Sequence, residues 1–325
     1  MLNIAIIGAG QIGSRHLQAL SQLNRLTNIQ IVDPNYKSLK RARERFLEIQ
    51  KNENVQKVEY LKNIVDLSNN LELVIIATTS DVRRKVIEKL LLQKKVHYLI
   101  LEKVLFQRIE DFAIVNNLLE QNNVKAWVNC PFRTIYFYKQ LRAKFKNAKR
   151  VDYRVSSSNL GIGCNSIHYL DLFTFLTGQT IFTLFSDQLD SKIIMSKRPG
   201  FLEFTGTLYG ISSRGSNIAV TSYLKGNAPL IISINSELVN CLIREDEGKA
   251  WISEKANNWM WEEVSFTIPY QSQITNLVVQ EILDTGKCDL TNYEESWNIH
   301  IPFLKSLIFH LQKQKMEDIN SCPIT

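Results

Sequence analysis

The sequence predicts an α/β chain in which a doubly wound parallel sheet is followed by an α+β domain with a largely antiparallel, open-faced sheet. Over residues 1–125, short runs rich in β-branched residues alternate with longer stretches of helical spacing, which is typical of βαβ units. After a predicted helix at residues 166–176 and as far as residue 269, strand-like runs follow one another without helices between them, which indicates antiparallel pairing. We therefore predict two domains, residues 1–125 and residues 126–325.

The predicted elements of the first domain alternate between strand and helix. They are strands at residues 3–7, 29–32, 73–77, 97–101 and 125–128, and helices at residues 11–23, 37–50 and 82–93. The runs at 73–77 and 97–101 are continuously apolar, as expected for strands that are buried on both faces. This order of elements predicts a parallel sheet.

The predicted second domain opens with two helices, at residues 136–145 and 166–176. Strands follow at residues 204–208, 218–223, 230–234 and 249–253. The last predicted helix covers residues 297–314, and we expect the short polar tail after it to be disordered. Because helices on one face leave the other face of such a sheet apolar and uncovered, we predict a homodimer or homotetramer.

The composition excludes several classes of protein. The chain has 325 residues, 45% of them hydrophobic, and none of its apolar runs reaches the roughly 18 to 20 residues of a membrane helix. The apolar first ten residues lack the cationic start of a signal peptide. The five cysteines lie far apart without a C-x-x-C pair, which argues against a zinc site or a disulfide framework. We predict a soluble, cytoplasmic protein that contacts no membrane and holds no metal.

The net charge of +7 raises the question of a nucleic-acid partner. Much of the excess lies in residues 37–57, where Leu39, Ala42 and Phe46 recur at helical spacing. This pattern favours a solvated helix face. Aromatic residues are not interleaved with the basic ones, as stacking platforms for nucleic acid would require. We therefore expect no nucleic-acid partner.

A glycine motif follows the first predicted strand and opens the first predicted helix, which is the setting of the dinucleotide-binding G-x-G-x-x-G motif of a Rossmann fold. In that motif, Gly8 permits a tight turn, Gly10 lets the backbone approach a pyrophosphate, and Gly13 allows the helix to pack closely on the strand. The helix N-terminus adds N–H donors for the phosphates. The residues predicted to bind the dinucleotide in this loop are Gly8, Ala9, Gly10, Gln11, Ile12 and Gly13.

Asp33 ends the second predicted strand, twenty residues after Gly13. A carboxylate at that position accepts hydrogen bonds from the adenosine ribose hydroxyls and repels a 2′-phosphate. Lys37 would offset this repulsion, but no arginine immediately follows Asp33. NAD is therefore favoured over NADP as the cofactor. A Rossmann-like domain that binds no dinucleotide remains the alternative.

Further motifs give the sequence a family resemblance. The run Val74-Ile75-Ile76-Ala77-Thr78-Thr79-Ser80, the tetrapeptide Leu101-Glu102-Lys103-Val104 and the segment Tyr293-Glu294-Glu295-Ser296-Trp297 resemble motifs of the glucose-fructose oxidoreductase and inositol dehydrogenase family, called Gfo/Idh/MocA. The stretch from Asn165 to Leu172 is similar to the active-site helix of that family. The resemblance extends over nearly the whole chain. It implies a Rossmann domain and a β-rich second domain that is often used for dimerisation.

The resemblance also implies roles for single residues. Thr78 and Thr79 would lie along the dinucleotide, as would Glu102, while Lys103 would reach both the nicotinamide region and the substrate hydroxyl. Within the helix that resembles the active-site helix, His168 is the matching histidine. These assignments complete the expected cofactor site.

Four positions depart from the family pattern. Thr79 and Arg83 replace a proline and a histidine, Val104 replaces the proline of the E-K-P motif, and Cys164 replaces an aspartate four residues before His168. In the family that proline often follows a cis peptide bond, so we expect a different local backbone at Val104. Because a neutral thiol carries no charge, Cys164 leaves the expected catalytic dyad incomplete.

Oxidation of a secondary alcohol needs a base for the hydroxyl proton and a positive charge near the oxygen. His168 is the candidate base and Lys103 the candidate cation. The alternatives are a structural histidine within a helix and a solvated lysine. Asp171, one turn after His168, would orient it or touch substrate, or would only make a hydrogen bond on the helix face. Asn165 is a candidate for substrate binding or for the helix N-cap.

Two more candidates for substrate binding follow the last predicted strand of the first domain. Arg133 would pair with a substrate phosphate or carboxylate, or would form a structural salt bridge, and Tyr136 and Asn129 are expected to face the same cleft. Together these residues predict an NAD-dependent oxidoreductase acting on a sugar, a cyclitol or a nucleotide-activated sugar. The alternative is a catalytically degenerate regulator or scaffold that binds a dinucleotide.

Overall fold

The computed structural model describes residues 1–314 and 319–325. Its internal contacts divide the chain into two compact units. The first unit consists of Met1–Phe106, Glu110–Asn129 and Pro269–Glu294, and the second of Gln107–Ile109, Cys130–Ile268 and Glu295–Thr325. The predicted division at residues 125 and 126 differs from these units chiefly because a segment late in the sequence returns to the first unit.

The strands follow the chain in numerical order. Within the described residues they are β1 (Leu2–Ile7), β2 (Thr27–Val32), β3 (Val55–Leu61), β4 (Asn70–Ile76), β5 (Lys95–Leu101), β6 (Lys125–Val128), β7 (Val151–Ser158), β8 (Phe182–Leu189), β9 (Ile194–Met195), β10 (Leu202–Glu203), β11 (Gly206–Ser212), β12 (Asn217–Tyr223), β13 (Ile231–Ser236), β14 (Val239–Arg244), β15 (Lys249–Glu254), β16 (Trp261–Ser265) and β17 (Thr291–Asn292).

The α-helices are numbered in the same way. Within the described residues they are α1 (Gln11–Leu20), α2 (Tyr36–Leu47), α3 (Ser80–Gln93), α4 (Glu110–Gln121), α5 (Tyr136–Phe145), α6 (Ile162–Thr177), α7 (Gln271–Thr285) and α8 (Tyr293–Lys313).

The first unit contains the predicted parallel sheet, with the strand order β17-β6-β5-β4-β1-β2-β3. β1 lies between β2 and β4 and is parallel to both, while β17 adds to the edge in the antiparallel direction. The chain turns to opposite sides after β1 and after β4, so their carboxyl ends form the switch point at which ligands bind in such sheets. The apolar side chains of Val74, Ile75 and Ile76 are fully buried, which confirms that this part of β4 is covered on both faces.

Helix α7 belongs to the first unit although it lies far along the sequence. Its residues Ile274, Val278 and Ile282 recur at helical spacing, are buried, and join the core that contains Leu17 and Leu20 of α1. The amphipathic face of α7 therefore covers α1. This contact explains why residues 269–294 return to the first unit.

The second unit contains a sheet with the strand order β16-β15-β14-β13-β7-β12-β11-β8. Neighbouring strands are antiparallel except for β7 and β12, which run parallel. β7 alternates strictly: Val151, Tyr153 and Val155 are buried, whereas Arg154 is exposed. The buried face packs against α6. The predicted second domain with a largely antiparallel, open-faced sheet is thereby confirmed.

The polar tail differs from the expected disorder. Residues 315–318 lie outside the described part of the chain, but residues 319–325 are described, and Cys322 and Ile324 are buried. The Cys322 N–H donates to the carbonyl of Gln107 at 2.9 Å, and the Pro323 carbonyl accepts from Leu202 at 2.7 Å. Apolar side chains of the tail are buried in the second unit. The free energy of this burial orders the segment despite the polar character of the tail as a whole.

Two further features of the described residues, 1–314 and 319–325, concern membrane-spanning helices and metal sites. No helix within these ranges is long and apolar enough to span a lipid bilayer. No group of three or more histidine, cysteine, aspartate or glutamate side chains within them is arranged to hold a metal ion.

Candidate functional site

The glycine loop between β1 and α1 has the geometry that its sequence requires. Gly8 adopts a positive φ of +102°, and a Cβ added there would come within 2.8 Å of the Ala77 backbone. A Cβ added at Gly13 would overlap the carbonyl oxygen of Gly8. A Cβ at Gly10 would meet no described heavy atom within 4 Å. The loop is therefore tightly packed at its two ends and open at Gly10.

Asp33 is bound to this loop. Its Oδ2 accepts from the Ala9 N–H at 2.8 Å, and its Oδ1 accepts from the Asn35 N–H at 2.8 Å. Each carboxylate oxygen keeps a second acceptor position for another donor. Helix α1 begins at Gln11 with Gly10 as its N-cap, so no side chain caps its first turn. The loop therefore offers both free N–H donors and a carboxylate.

Thr78 and Thr79 lie beside the loop, after β4. Thr79 is the N-cap of α3, and its side chain makes no capping hydrogen bond. The Thr78 hydroxyl oxygen is buried and has no hydrogen-bond partner among the described residues. A buried polar group of this kind is expected to find a partner in a bound ligand or water. The open space at Gly10, the uncapped α1 and this hydroxyl all fit a dinucleotide.

Glu102, at the end of β5, belongs to a closed ring of buried side chains. Its Oε1 accepts from Asn129 at 2.6 Å and lies 3.0 Å from His16 Nε2. His16 Nδ1 lies 2.8 Å from the Thr275 hydroxyl, which also accepts from Gln271 at 2.8 Å. Asn129 closes the ring by donating to Gln271 Oε1 at 2.9 Å. Asn129 thus makes its contacts within the first unit.

The charge of Glu102 is stabilised by this ring. Burial by itself raises the pKa of the Glu102 carboxyl. The hydrogen bond and charge of His16, the charge of Lys103 and the hydrogen bond of Asn129 outweigh this effect and lower the pKa to about 2. Glu102 is therefore ionised at neutral pH. A carboxylate that is 7% exposed and bound in this way is suited to hold its neighbours in place and not to exchange protons.

Lys103 follows directly and is half-buried. The peptide bond between Lys103 and Val104 is cis. The prediction that the backbone at Val104 differs from the family pattern is therefore wrong. Arg83, which is 1% exposed, donates from Nη1 to the carbonyls of Val104 and Leu105, the latter at 2.9 Å, and from Nη2 to the carbonyl of Thr78. Arg83 therefore ties the segment after β5 to the segment after β4.

In the second unit, α6 begins earlier than predicted, at Ile162 after Gly161, whose φ is +78°. The Glu203 carboxylate accepts from the N–H groups of Gly163 and, at 3.2 Å, Cys164. Asn165 lies within the first turn and donates to the Leu160 carbonyl at 2.6 Å. The N-cap alternative for Asn165 is therefore wrong, because Glu203, distant in sequence, binds the N–H groups of this helix end.

His168 lies half-buried on α6, with its ring centre 5.8 Å from that of Phe132. Asp171, one turn further on, is 1% exposed and forms a two-point ion pair with Arg133, at 2.8 Å from Nε and 2.9 Å from Nη2. Arg133 Nη2 also donates to Glu295 at 2.8 Å. These contacts correspond to the structural alternative for Arg133, and a substrate role of Asp171 or Arg133 stays a prediction.

The ion pair changes the acidity of Arg133. Burial lowers the pKa of the guanidinium, but the charge and hydrogen bonds of Asp171, followed by those of Glu295, raise it above its ordinary value. Tyr136, by contrast, is 73% exposed at the first turn of α5, and its hydroxyl accepts from Gln140 at 2.6 Å. It remains a candidate for substrate binding.

One positioning candidate, His16, and one titratable group, Glu245, are absent from the sequence-based set. His16 is a polar residue on the buried side of an amphipathic helix, three residues after Gly13, and that position is a readable signal. Glu245 accepts a hydrogen bond from the buried Tyr138 hydroxyl. Burial first, and the charge of Asp246 with it, raise the pKa of Glu245 to about 7, although the Tyr138 bond opposes the rise. No local pattern marks Glu245.

Comparisons with known proteins agree with this geometry. Residues 2–130 match the sequence model of the Gfo/Idh/MocA oxidoreductase family, described as an NAD-binding Rossmann fold. A search of curated proteins finds no significant match. Among solved structures, an oxidoreductase from Agrobacterium radiobacter in complex with NAD+, L-tartaric acid and magnesium is similar, with a TM-score of 0.72 at 17% identity, covering 94% of this chain and 96% of that one.

Two further solved structures have the same fold. UDP-N-acetylglucosamine 3-dehydrogenase from Acidithiobacillus ferrooxidans has a TM-score of 0.68 at 13% identity, covering 94% of this chain and 96% of its own. A Gfo/Idh/MocA family oxidoreductase from Vibrio cholerae has a TM-score of 0.68 at 16% identity, covering 98% of this chain and 100% of its own. Residues 2–130 therefore match the NAD-binding Rossmann fold of the Gfo/Idh/MocA oxidoreductase family.

Proposed function

We propose that this protein is an NAD-dependent oxidoreductase that transfers a hydride between nicotinamide and a secondary alcohol or ketone of a sugar, a cyclitol or a nucleotide-activated sugar. The observation that carries the proposal is the glycine loop, which is open at Gly10 and has Asp33 bound to its Ala9 N–H at 2.8 Å. The similar proteins support the substrate class, since one is a UDP-N-acetylglucosamine dehydrogenase and another was crystallised with NAD+ and L-tartaric acid.

The loop residues would hold the cofactor in the following way. The pyrophosphate would lie over Gly10 and the uncapped N-terminus of α1, where N–H donors and the helix dipole favour negative charge. Asp33 would accept from the adenosine ribose, and Thr78 would supply its buried hydroxyl to the cofactor. When bound, the nicotinamide ring accepts or supplies the hydride.

Two side chains would perform the remaining chemistry. The Lys103 ammonium would stabilise negative charge on the substrate oxygen, because a fixed cation acts most strongly where charge develops during the reaction. His168 would accept the hydroxyl proton, since an imidazole changes charge near neutral pH. The proton and the hydride together account for the oxidation of the alcohol to the ketone.

A second candidate, a dinucleotide-binding regulator without catalysis, rests on a specific observation. The position four residues before His168 is Cys164, and the carboxylate near it, Glu203, accepts from the backbone of Gly163 and Cys164. Asp171 in turn pairs with Arg133. The regulator is therefore supported by the thiol at position 164, where the family pattern has an aspartate. The enzyme is favoured because hydrogen bonds fix the chain on both sides of Lys103. Arg83 binds the Leu105 carbonyl after it, and His16 and Asn129 bind the Glu102 carboxylate before it.

The catalytic roles are tested by substitution. A panel of sugars and sugar nucleotides is first screened for a change in nicotinamide absorbance. With an active substrate, Lys103→Met should lower turnover by about 10² to 10³, the loss typical of one electrostatic donor. His168→Ala should lower it by about 10² to 10⁴ through loss of the base. Lys95→Met and His97→Ala, both exposed on β5, are the matched controls.

The outcomes separate the two candidate functions. Wild-type rates in both the Lys103 and the His168 variant would rule out the proposed mechanism. Binding of NADH without turnover of any substrate on the panel would favour the regulator.

The choice of cofactor is tested by calorimetry. We expect NAD(H) to bind more tightly than NADP(H), because Asp33 repels a 2′-phosphate. Asp33→Ser should reduce this preference, whereas Asp66→Ser, remote from the loop in sequence, should leave it unchanged. Equal or tighter binding of NADP(H) to the wild-type protein would contradict the prediction.

A further inference from the structure

The segment that carries Lys103 is anchored on its C-terminal side by Arg83. This guanidinium is 1% exposed and donates to the carbonyls of Val104 and Leu105, directly after Lys103, and to the carbonyl of Thr78 beside the glycine loop. A planar guanidinium with its donors in a fixed fork holds several acceptors in one geometry. Arg83 thereby fixes two backbone segments relative to each other.

The same segment is anchored on its N-terminal side by His16. This imidazole is fully buried on α1 and lies between Glu102, directly before Lys103, and Thr275. Asn129 and Gln271 complete the ring of hydrogen bonds around Glu102. A buried polar network in which the members satisfy one another is rigid, and loosening one member weakens the others.

Both anchors come from helices that begin at the loops expected to hold the cofactor. α1, which carries His16, starts after the glycine loop, and α3, which carries Arg83, starts after Thr79. Each side of Lys103 is therefore connected through a few buried contacts to a cofactor loop. The same two helices would position the dinucleotide and the lysine.

We infer that Arg83 and His16 are positioning residues that set the location of the Lys103 ammonium relative to the bound dinucleotide. Neither side chain touches a reacting atom in this mechanism. The inference rests on the proposed function, because it takes the glycine loop as the cofactor site. It also makes a claim that does not depend on turnover, namely that Lys103 becomes less ordered when either anchor is removed.

The inference is tested by the reactivity of individual lysines. The purified protein is acetylated with an N-hydroxysuccinimide ester, with and without NADH, and the modification of each lysine is read by mass spectrometry. Lys94 is the internal reference for loss of structure, because its ammonium is buried on the carbonyls of Val65 and Leu67. NADH binding is measured in parallel by fluorescence.

We expect NADH to protect Lys103 in the wild-type protein. Arg83→Met and His16→Gln should each raise the acetylation rate of Lys103 without NADH and abolish its protection by NADH, while NADH still binds and Lys94 stays unreactive. Arg83→Lys should regain part of the protection, because it can still donate to one or two of the carbonyls. Arg84→Lys on the same helix and His97→Gln on β5 are the matched controls and should behave as wild type.

The outcomes are distinguishable. Unchanged reactivity and protection of Lys103 in folded Arg83→Met and His16→Gln would overturn the inference, as would a parallel rise in the acetylation of Lys94, which signals a general loss of structure. If Arg83→Met does not fold, the two milder variants decide. If NADH binds but fails to protect wild-type Lys103, the proposed role of Lys103 fails, while the reactivity measured without NADH still decides whether Arg83 and His16 hold it.

Discussion

At the scale of single residues, Glu245 is the least expected group. Its carboxyl lies in the turn between β14 and β15 and accepts a hydrogen bond from Tyr138. Burial is the first cause that raises its pKa to about 7, so a large fraction of the carboxyl is protonated at neutral pH. A half-buried carboxyl of this kind makes stability depend on pH in the range where most proteins are studied.

We expect Glu245 to weaken the protein as the pH rises. Because the pKa of the folded state is raised, the contribution to stability is fully present below the unfolded value of 4.5 and is lost as the pH rises through about 7. The shift corresponds to about 3 kcal/mol at most. Glu245→Gln should therefore reduce the fall in the free energy of unfolding between about pH 5 and pH 8, as measured by urea unfolding.

The matched control for this prediction is Glu247→Gln, on the same turn but exposed. Its profile of unfolding free energy against pH should follow the wild type. An unchanged profile in Glu245→Gln would show that the carboxyl is fully solvated, contrary to its partial burial in the structure.

At the scale of elements, α6 presents two different sides. His168 lies on a side that is partly accessible, whereas Asp171 is buried and paired with Arg133 from the segment before α5. Arg133 also contacts Glu295 at the start of α8. A single guanidinium therefore links the region before α5 to α6 and α8, all within the second unit.

Breaking this ion pair should destabilise the second unit. Asp171→Asn is expected to lower the free energy of unfolding by about 3 to 5 kcal/mol, because the Arg133 charge stays buried without its partner. The double variant Arg133→Met with Asp171→Leu should recover much of the loss, since it removes both charges. Urea unfolding monitored by circular dichroism measures both effects.

The surface pair of Arg154 and Asp152 supplies the control. Arg154 is exposed, and Arg154→Met should lower the free energy of unfolding by less than about 1 kcal/mol. If Asp171→Asn proves as mild as this control but raises KM for a substrate, the pair serves binding and not stability.

At the scale of the whole molecule, the outer face of the second sheet carries exposed and half-buried side chains, such as Arg154, Phe185 and Trp251. Phe185 and Tyr209 lie opposite each other on β8 and β11, with ring centres 5.3 Å apart. Leu242 and Trp251 are paired in the same way on β14 and β15. Apolar side chains grouped on a sheet face are typical of an interface.

We therefore predict that the protein is a homodimer or homotetramer through this face. Light scattering at micromolar concentration should give a multiple of the chain mass. Phe185→Asp should shift the protein toward the monomer, because it places a charge in the apolar group, whereas Leu92→Asp, on an exposed position of α3, should not. A monomeric wild-type protein would contradict the prediction.

Short-range signals in the sequence account for much of the fold. Helix α5 occurs where it was predicted, at Tyr136–Phe145, and the glycine motif has the turn geometry that its spacing required. β3 is missing from the predicted elements because its residues mix polar and apolar types at the edge of the sheet. α4 and α7 are missing too, although α7 carries apolar residues at helical spacing.

Long-range packing, by contrast, selects which side chains meet. His16 contacts Thr275, 259 residues away in sequence, and Glu102, 86 residues away. Arg133 and Asp171 were both candidates for substrate contact, yet they bind each other, and Glu203 replaces Asn165 at the start of α6. Residue type and local spacing determine which secondary structure a segment can form. The partner of a buried polar group depends on the tertiary structure, because that group must be satisfied by whichever other group the fold brings within hydrogen-bond distance.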